Sequence, residues 1–374
     1  MRKKGSADKK ADNECKEDAG AESTGAENIP APDNVIDKIF KAYDIRGIYG
    51  KELTDRLAYK LGRALVSFLG CTTIVVGRDV RASSESIFSS FSQGLADQGA
   101  DVTDIGLCST PMLYFATGKY CFGAGAMITA SHNPADYNGF KLCRAGVVPV
   151  GQDSGLFEIK QIIQNGKFKA PARVGCVVRK DILNDYVAHV LSFVDVSKIQ
   201  RMKIVMDAGN GMAGITAPAV FSRIPADIIP LYFEPDGAFP NHEANPVKAE
   251  NRTALVERVL AEGADMGFLW DGDGDRFVVV DEQGNAVSGD ILTALLSEVM
   301  LRDHGQKGDV VYYTLICSRV VREVIARSGG TPKVCRVGHA FIKSYMKQDN
   351  ALFAGEHSGH FYFRRNFFAE SGII

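Results

Sequence analysis

Short apolar runs and amphipathic stretches alternate along most of the chain. Residues 73–76 (Thr-Ile-Val-Val) form a compact apolar run, whereas Leu57 and Leu61 lie one helical turn apart on an apolar face. The same alternation restarts at residues 203–207 and again at residues 276–280. Strands that alternate with helical stretches predict α/β domains with mainly parallel mixed sheets, in which ligands gather at the carboxyl ends of strands.

The three rounds of this pattern predict three tandem α/β domains. We place them at residues 34–178, 179–287 and 288–374, after an N-terminal extension of residues 1–33. Residues 1–28 contain no Val, Ile, Leu, Phe, Tyr or Trp, so they cannot bury enough apolar surface to offset the entropy lost on ordering. We therefore predict that the extension is disordered.

Composition and charge narrow the class of protein. The chain has 374 residues, of which 45% are hydrophobic and 24% charged, as in globular proteins. A formal net charge of −2 gives no bulk attraction to nucleic acid or to anionic membranes. No apolar stretch reaches the ~18 residues of a membrane span, and the cysteines include no CxxC pair. We expect a cytoplasmic monomer or weak dimer with reduced thiols and with neither nucleic acid nor membrane as a partner.

A polar segment follows an apolar run of small residues in the first domain. It reads Thr-Ala-Ser-His-Asn-Pro over residues 129–134, and its Asn-Pro pair predicts a loop after a strand. Ser131, with His132 beside it, is suited to carry a group in covalent catalysis. We expect Arg46, Ser131 and Lys141 to lie near strand ends or on loops. A turn that uses Ser and Asn for local hydrogen bonds is the alternative.

A second polar segment reads Asp-Gly-Asp-Gly-Asp-Arg over residues 271–276. Asp271, Asp273 and Asp275 can converge on one hard cation, and oxygen ligands favour magnesium or calcium over zinc. The calcium loop of an EF-hand requires glycine where this chain has Arg276, and the segment lies between two predicted strands. A structural Asp-Gly turn is the other alternative, although uncompensated carboxylates repel each other. Arg276 adds a guanidinium for a phosphate bound to such a cation.

A third segment reads Glu-His-Ser-Gly-His over residues 356–360 and follows a predicted strand. Its carboxylate, hydroxyl and imidazoles are suited to binding the hydroxyl groups of a sugar. A capped turn explains the segment equally well. Zinc is disfavoured because His357 and His360 have no thiolate or third histidine nearby. Residues 209–211 read Gly-Asn-Gly, which is not the GxGxxG of a dinucleotide site.

Five motifs in this order resemble the α-D-phosphohexomutase superfamily, the phosphomannomutase/phosphoglucomutase enzymes. They are residues 41–47 (Lys-Ala-Tyr-Asp-Ile-Arg-Gly), 129–134, 271–276, 337–339 (Val-Gly-His) and 355–360 (Gly-Glu-His-Ser-Gly-His). The resemblance extends from about residue 36 to the end of the chain. It implies three α/β domains that contribute to one active site.

The resemblance implies reversible transfer of a phosphoryl group between the 1 and 6 positions of a hexose phosphate, that is, of mannose or glucose phosphate. Ser131 would be the phosphorylated nucleophile. Mg²⁺ would be bound by Ser131 together with Asp271, Asp273 and Asp275. A hexose 1,6-bisphosphate would be the intermediate and activator, and it would turn around in the cleft before its other phosphate returns to the serine.

The resemblance also implies roles for the residues around this centre. Proton transfer would be assisted, and the serine phosphate held, by Arg46, Lys141 and His360. A further catalytic candidate is His132, which lies beside the serine in the sequence. Contacts with the hexose phosphate substrate are implied for Tyr43, Arg276, His339, Glu356 and Ser358.

Two departures from the family pattern bear on activity. Where the family has a lysine after a third-domain strand, this chain has Ile316, which removes a cationic substrate contact. The family's fourth domain, which grips the distal phosphate, has no counterpart here, so we expect a cleft open on one side and slow turnover. The alternatives are a phosphoglucosamine mutase and a catalytically weak, truncated sugar-phosphate-binding homologue. A phosphatase would need an activated water, for which the sequence supplies no distinct base.

Overall fold

A computed structural model of the protein describes residues 33–374. The extension that we predict to be disordered, residues 1–33, lies outside the described residues except for its last position. None of the helices between residues 33 and 374 has the length and apolar character needed to cross a bilayer. The described part of the chain contains three sheets, each with helices packed beside it.

The first domain is built on a seven-stranded mixed sheet. Its strands are β1 (Ile45–Ile48), β2 (Thr73–Arg78), β3 (Asp101–Leu107), β4 (Ala124–Ile128), β5 (Tyr137–Arg144), β6 (Val148–Pro149) and β7 (Val177–Arg179). Its helices are α1 (Asp33–Ile39), α2 (Asp55–Leu69), α3 (Ser84–Asp97), α4 (Thr110–Lys119) and α5 (Leu156–Asn165). The order is β1-β5-β4-β2-β3-β7, with β4, β2, β3 and β7 parallel and β5 antiparallel to both β1 and β4. The predicted boundary at residue 178 falls within β7.

The second domain contains a five-stranded sheet. Its elements are α6 (Leu183–Leu191), β8 (Met202–Asp207), α7 (Ala213–Phe221), β9 (Ala226–Leu231), α8 (Thr253–Glu262), β10 (Met266–Trp270), β11 (Phe277–Asp281) and β12 (Ala286–Val287). The strand order is β12-β11-β10-β8-β9. Because β10 and β11 pair antiparallel, the aspartate segment between them is the loop of a hairpin.

The third domain contains a second five-stranded sheet. Its elements are α9 (Gly289–His304), β13 (Val310–Thr314), α10 (Arg319–Arg327), β14 (Thr331–Cys335), α11 (His339–Gln348), β15 (Phe353–Gly355), β16 (Phe361–Phe363) and β17 (Ala369–Glu370). The strand order is β14-β13-β15-β16-β17. The Glu-His-Ser-Gly-His segment connects β15 to β16, so it lies at the carboxyl end of β15.

Local sequence explains where several helices begin and end. Thr54 caps α2 by accepting a hydrogen bond from the backbone N–H of Leu57 at 3.3 Å. Gly70 ends the same helix in the left-handed region at φ 64°, which glycine adopts without steric cost. Ser109 caps α4 and accepts a hydrogen bond from the N–H of Met112 at 3.3 Å. The start of α4 is thereby held beside the carboxyl end of β3.

The first and third domains pack closely against each other. A Cβ at Gly118 of α4 would lie 2.5 Å from the ring of Phe367, so only glycine permits this approach. Nζ of Lys343, on α11, lies 3.8 Å from the ring centroid of Tyr114 on α4. The contact of Lys343 with Tyr114 holds α11 against the first domain, and the first residue of this helix therefore reaches the candidate site.

Candidate active site

The serine loop lies directly beyond the carboxyl end of β4. Ser131 is 2% exposed and has a φ of 52°, a conformation that residues other than glycine rarely adopt. Its N–H donates to Thr129 Oγ1 at 2.9 Å, and Thr129 Oγ1 donates to Asp79 Oδ2 at 2.7 Å. These bonds hold the serine in a strained conformation of the kind that is found at functional positions.

A buried arginine absent from the sequence predictions supports this loop. Arg81 is 2% exposed, and its Nε lies 3.1 Å from Asp79 Oδ2. Its two terminal nitrogens donate, at 2.5–2.9 Å, to the backbone carbonyls of Ser131, Asn133, Pro134 and Tyr137. The sequence signal for this role is Gly-Arg-Asp-Val-Arg at residues 77–81, where arginines flank an aspartate at the end of a predicted strand.

The three aspartates of the hairpin loop converge beside the serine. Asp271, Asp273 and Asp275 are each at most 1% exposed, and one oxygen from each lies within 4.8 Å of the others. Ser131 Oγ donates to Asp271 Oδ2 at 2.9 Å. Thr110 Oγ1, at the start of α4, donates to Asp273 Oδ2 at 2.6 Å. The first and second domains therefore meet at these carboxylates.

Lys141 compensates part of the negative charge. Its Nζ donates to Asp273 Oδ2 at 2.6 Å and also to Asp275. Burial alone would lower the pKa of Lys141, but these two carboxylates raise it above its ordinary value. Burial, together with the charges of Asp275 and Asp273, raises the pKa of Asp271 well above its usual range. Arg276 adds a second positive charge, with its Nε 3.8 Å from Asp271 Oδ2. Two cationic side chains do not neutralise three carboxylates, so the cluster favours a further cation.

The oxygen atoms of the cluster fit a hard divalent cation. Asp273 Oδ1 is buried and has no hydrogen-bond partner between residues 33 and 374. A buried carboxylate oxygen without a partner carries a desolvation cost, which a bound cation would remove. Three carboxylates and a hydroxyl are the ligand type that Mg²⁺ and Ca²⁺ prefer. The residues present therefore fit the magnesium ion expected from the sequence.

Arg46 and Lys141 reach this centre from within strands. Arg46 lies in β1 opposite Gly139 of β5, and Lys141 lies in β5 opposite Met127 of β4. Because β5 runs antiparallel to β4, its middle residues pass the carboxyl end of β4, an arrangement that a mainly parallel pattern does not predict. Arg46 Nη1 donates to Asn133 Oδ1 at 2.7 Å, so this arginine holds the serine loop from the side opposite Arg81.

His132 lies within hydrogen-bonding distance of the serine hydroxyl. Its Nδ1 is 3.2 Å from Ser131 Oγ. Burial lowers the pKa of His132 to about 3, and the positive charges of Arg276 and Arg46 act in the same direction. The imidazole is therefore neutral at physiological pH, and its Nδ1 can share a hydrogen bond with the serine hydroxyl.

The loop between β15 and β16 brings the third domain to the carboxylates. Glu356 is 3% exposed and accepts a hydrogen bond from the hydroxyl of Tyr362. Ser358 Oγ and His360 Nδ1 are 3.0 Å apart. His360 Nε2 lies 3.3 Å from Asp275 Oδ1, so this histidine connects the third domain to the second.

Arg276, His339 and Tyr43 extend the polar surface around the centre. Arg276 Nε donates to His360 Nε2 at 3.4 Å. His339 is the first residue of α11, and its ring centroid lies 5.7 Å from that of Tyr43 in the first domain. Burial lowers the pKa of His339 well below its ordinary value, and the ammonium of Lys343 acts in the same direction. Both ring nitrogens of His339 are buried, and neither has a hydrogen-bond partner in the described part of the chain.

Two side chains of the relevant loops lie outside this cluster. Ile316 follows β13 and is 60% exposed, and it contributes no charge where the family pattern has a lysine. His357 is 48% exposed at its side chain and faces Asp290 of α9 at 3.8 Å. The predicted residues from all three domains otherwise surround one polar centre, and their individual roles remain predictions.

Family models match nearly all of the described chain. The models of the phosphoglucomutase/phosphomannomutase alpha/beta/alpha domains I, II and III match residues 37–170, 184–284 and 288–374, respectively. The chain belongs to the phosphoglucomutase/phosphomannomutase family. The resemblance to the α-D-phosphohexomutase superfamily and the predicted fold of three tandem α/β domains are thereby confirmed.

Individual members of this family are similar over most of the chain. Phosphohexose mutases of Xanthomonas campestris are 40% identical over 335 residues, covering 90% of this chain and 74% of the relative. A phosphomannomutase of Escherichia coli is 39% identical over 343 residues, covering 90% of this chain and 75% of the relative. A crystal structure of a phosphoglucomutase/phosphomannomutase family protein from Burkholderia thailandensis superposes with a TM-score of 0.83 at 32% identity, covering 90% of this chain and 74% of that protein.

Proposed function

We propose that the protein is a phosphohexomutase that moves a phosphoryl group between the 1 and 6 positions of mannose or glucose phosphate by way of Ser131. The observation that carries this proposal is the 2.9 Å contact between Ser131 Oγ and Asp271 Oδ2, which joins a strained serine to a carboxylate cluster across two domains. The names of the relatives, phosphomannomutase and phosphohexose mutase, support the same reaction class.

The phosphoryl group is transferred in two opposite steps. In the first, a hydroxyl oxygen of the bound sugar phosphate forms a bond to the phosphorus on Ser131 as the bond from phosphorus to Oγ breaks. The hydroxyl proton passes to His360, which lies beside the carboxylates with its Nε2 3.3 Å from Asp275 Oδ1. His132 lies 3.2 Å from Oγ and assists the second step. In that step the serine oxygen bonds to the other phosphorus of the bisphosphate as the bond from this phosphorus to the sugar oxygen breaks, and the sugar oxygen takes up a proton. Such transfer requires placement and charge neutralisation above all.

Charge neutralisation comes from the residues around the serine. Arg46, which reaches the serine loop through Asn133, and Lys141 are the cations of the first domain placed to steady the phosphoryl oxygens. Mg²⁺ would be held by Asp271, Asp273, Asp275 and the oxygen on Ser131, and when bound it would neutralise charge on the phosphoryl group.

The third domain is proposed to hold the sugar. Glu356 and Ser358 lie on the loop that ends at His360, at distances that keep their oxygens within reach of the same centre. Arg276 and His339 are proposed to contact the substrate from the second and third domains. Tyr43 packs against His339 and completes the wall on the side of the first domain.

One observation favours a second candidate, a weakly active sugar-phosphate-binding homologue. Ile316 provides no cation at the exposed turn after β13, so the distal phosphate loses one charged contact there. Such a protein would bind hexose phosphates with little turnover.

The test combines turnover with intact-mass measurement. The full chain is given Mg²⁺, glucose 1,6-bisphosphate and mannose 1-phosphate, and formation of the 6-phosphate is followed together with addition of one phosphoryl group to the protein. We expect turnover and a phosphoryl group that is lost in Ser131→Ala but kept in Ser89→Ala, which alters an exposed serine of α3. Phosphorylation of Ser131 without turnover would favour the second candidate. A protein that is neither phosphorylated nor active would refute the proposal.

A further inference from the structure

The loop between β9 and α8 packs against the first domain beside the serine loop. A Cβ at Gly237 in this loop would lie 2.6 Å from the carbonyl oxygen of Val80 and 2.7 Å from Cα of Arg81, so only glycine permits the approach. Phe239 follows in the same loop, and the guanidinium carbon of Arg81 lies 5.1 Å from the centroid of its ring. The ring is therefore within cation–π distance of the arginine that supports the serine loop.

Phe239 also lies beside the aspartate loop between β10 and β11. A Cβ at Gly272 of that loop would lie 3.6 Å from Cζ of the Phe239 ring and 2.8 Å from the carbonyl oxygen of Ser131. The same carbonyl oxygen accepts the 2.8 Å hydrogen bond from Arg81 Nη2. The guanidinium, the serine loop, the aspartate loop and the aromatic ring thus form a closed set of contacts across two domains.

The backbone at Phe239 has a conformation that bulky residues rarely adopt. Its φ is 50°, in the left-handed region. The N–H of Phe239 donates to the carbonyl of Asp236 at 3.0 Å, and the N–H of Asp236 donates to the carbonyl of Asn210 at 2.9 Å. Such strain persists only where the surrounding structure over-determines it. Here the strained turn places an aromatic ring between the two loops of the candidate site.

We propose that Phe239 is a positioning residue, which fixes the serine loop against the aspartate loop through Arg81. The inference rests on the proposed function, in which an oxygen on Ser131 and the three aspartates share one cation. A magnesium ion demands near-ideal coordination geometry, so it binds tightly only if the two loops keep their separation. Leucine in place of Phe239 would fill similar space but has no π face for the guanidinium, so the serine loop would lose one of the contacts that fix it.

The test compares Phe239→Leu with Tyr232→Leu, a matched control in the same loop. Tyr232 also has a positive φ, of 52°, but its ring packs against that of His242 with centroids 5.5 Å apart. In calorimetric titrations, Phe239→Leu should weaken Mg²⁺ binding roughly fivefold. For mannose 1-phosphate, kcat should fall about tenfold while KM stays unchanged, because the ring acts through the loops. Tyr232→Leu should change none of these values, and Phe239→Tyr, which keeps the ring face, should retain them.

The outcomes separate this inference from the proposed function. Mg²⁺ affinity that is unchanged in Phe239→Leu, or lowered equally in Tyr232→Leu, overturns the inference, and so does a loss that Phe239→Tyr fails to restore. A higher KM with unchanged kcat also overturns it, because that result would place the ring in contact with the substrate. If the unsubstituted protein shows no mutase activity while Phe239→Leu alone weakens Mg²⁺ binding, the positioning role stands and the proposed function fails.

Discussion

A buried ion pair in the third domain allows the cost of an interior charge to be measured. Lys343 Nζ lies 2.6 Å from Glu370 Oε2, and the two residues are 0% and 1% exposed. Neither atom has hydrogen-bond geometry with a partner in residues 33–374, so their attraction depends on charge. We predict that Lys343→Met lowers the free energy of unfolding by about 3–5 kcal/mol, because it leaves the carboxylate charged and alone in the interior.

The single and double substitutions should not add. Glu370→Gln leaves the ammonium of Lys343 buried without its carboxylate, 3.8 Å from the ring centroid of Tyr114, and we expect a loss of about 3–5 kcal/mol again. The double variant removes both charges. Its remaining loss should be about 1–3 kcal/mol, the cost of a buried amide without a partner.

Urea unfolding followed by far-ultraviolet circular dichroism checks this prediction. The midpoint should fall in each single variant and recover only in part in the double variant, while the slope stays constant. Arg201→Met is the control, because the Arg201–Asp227 pair is 72% and 53% exposed and its loss should not change the midpoint measurably. If Lys343→Met shifts the midpoint no more than Arg201→Met does, the prediction that an unpaired buried charge destabilises the third domain is wrong.

Three further outcomes are expected. Arg81→Ala should lower the free energy of unfolding by about 3–5 kcal/mol, because it leaves the buried carboxylate of Asp79 unpaired. It should also abolish turnover, because it releases the serine loop. An unchanged midpoint of urea unfolding would contradict this prediction. Mg²⁺ at 100 times its dissociation constant should stabilise the protein by about 2.7 kcal/mol in thermal unfolding, an effect that Asp273→Asn should remove. Burial alone would lower the pKa of His242, but its hydrogen bond and ion pair with Asp207 raise it above 6.5. The stabilisation from the His242–Asp207 pair is therefore complete below the unfolded pKa of 6.5, and it is lost as the pH rises through the higher folded pKa. The thermal unfolding temperature should fall across that pH range. In Asp207→Asn the fall should be smaller.

The residues by themselves determined the local elements and the chemistry of the loops. The apolar run at residues 73–76 predicted β2, and Thr54 predicted the start of α2, because strand periodicity and helix caps depend on neighbours in the chain. The alternating aspartates of residues 271–276 predicted a loop between strands that fits a hard cation, since glycine spacing and carboxylate chemistry are also local. Motif order was sufficient for the family.

The tertiary structure decided the geometry in which distant groups meet. Ser131 and Asp271 are 140 residues apart in sequence, and their 2.9 Å contact exists because two sheets pack with their loops facing each other. Arg81 supports the serine loop, and β5 returns antiparallel to bring Lys141 beside the carboxylates, for the same reason. Such contacts depend on the packing of whole domains, which no local pattern of hydrophobic and polar residues encodes.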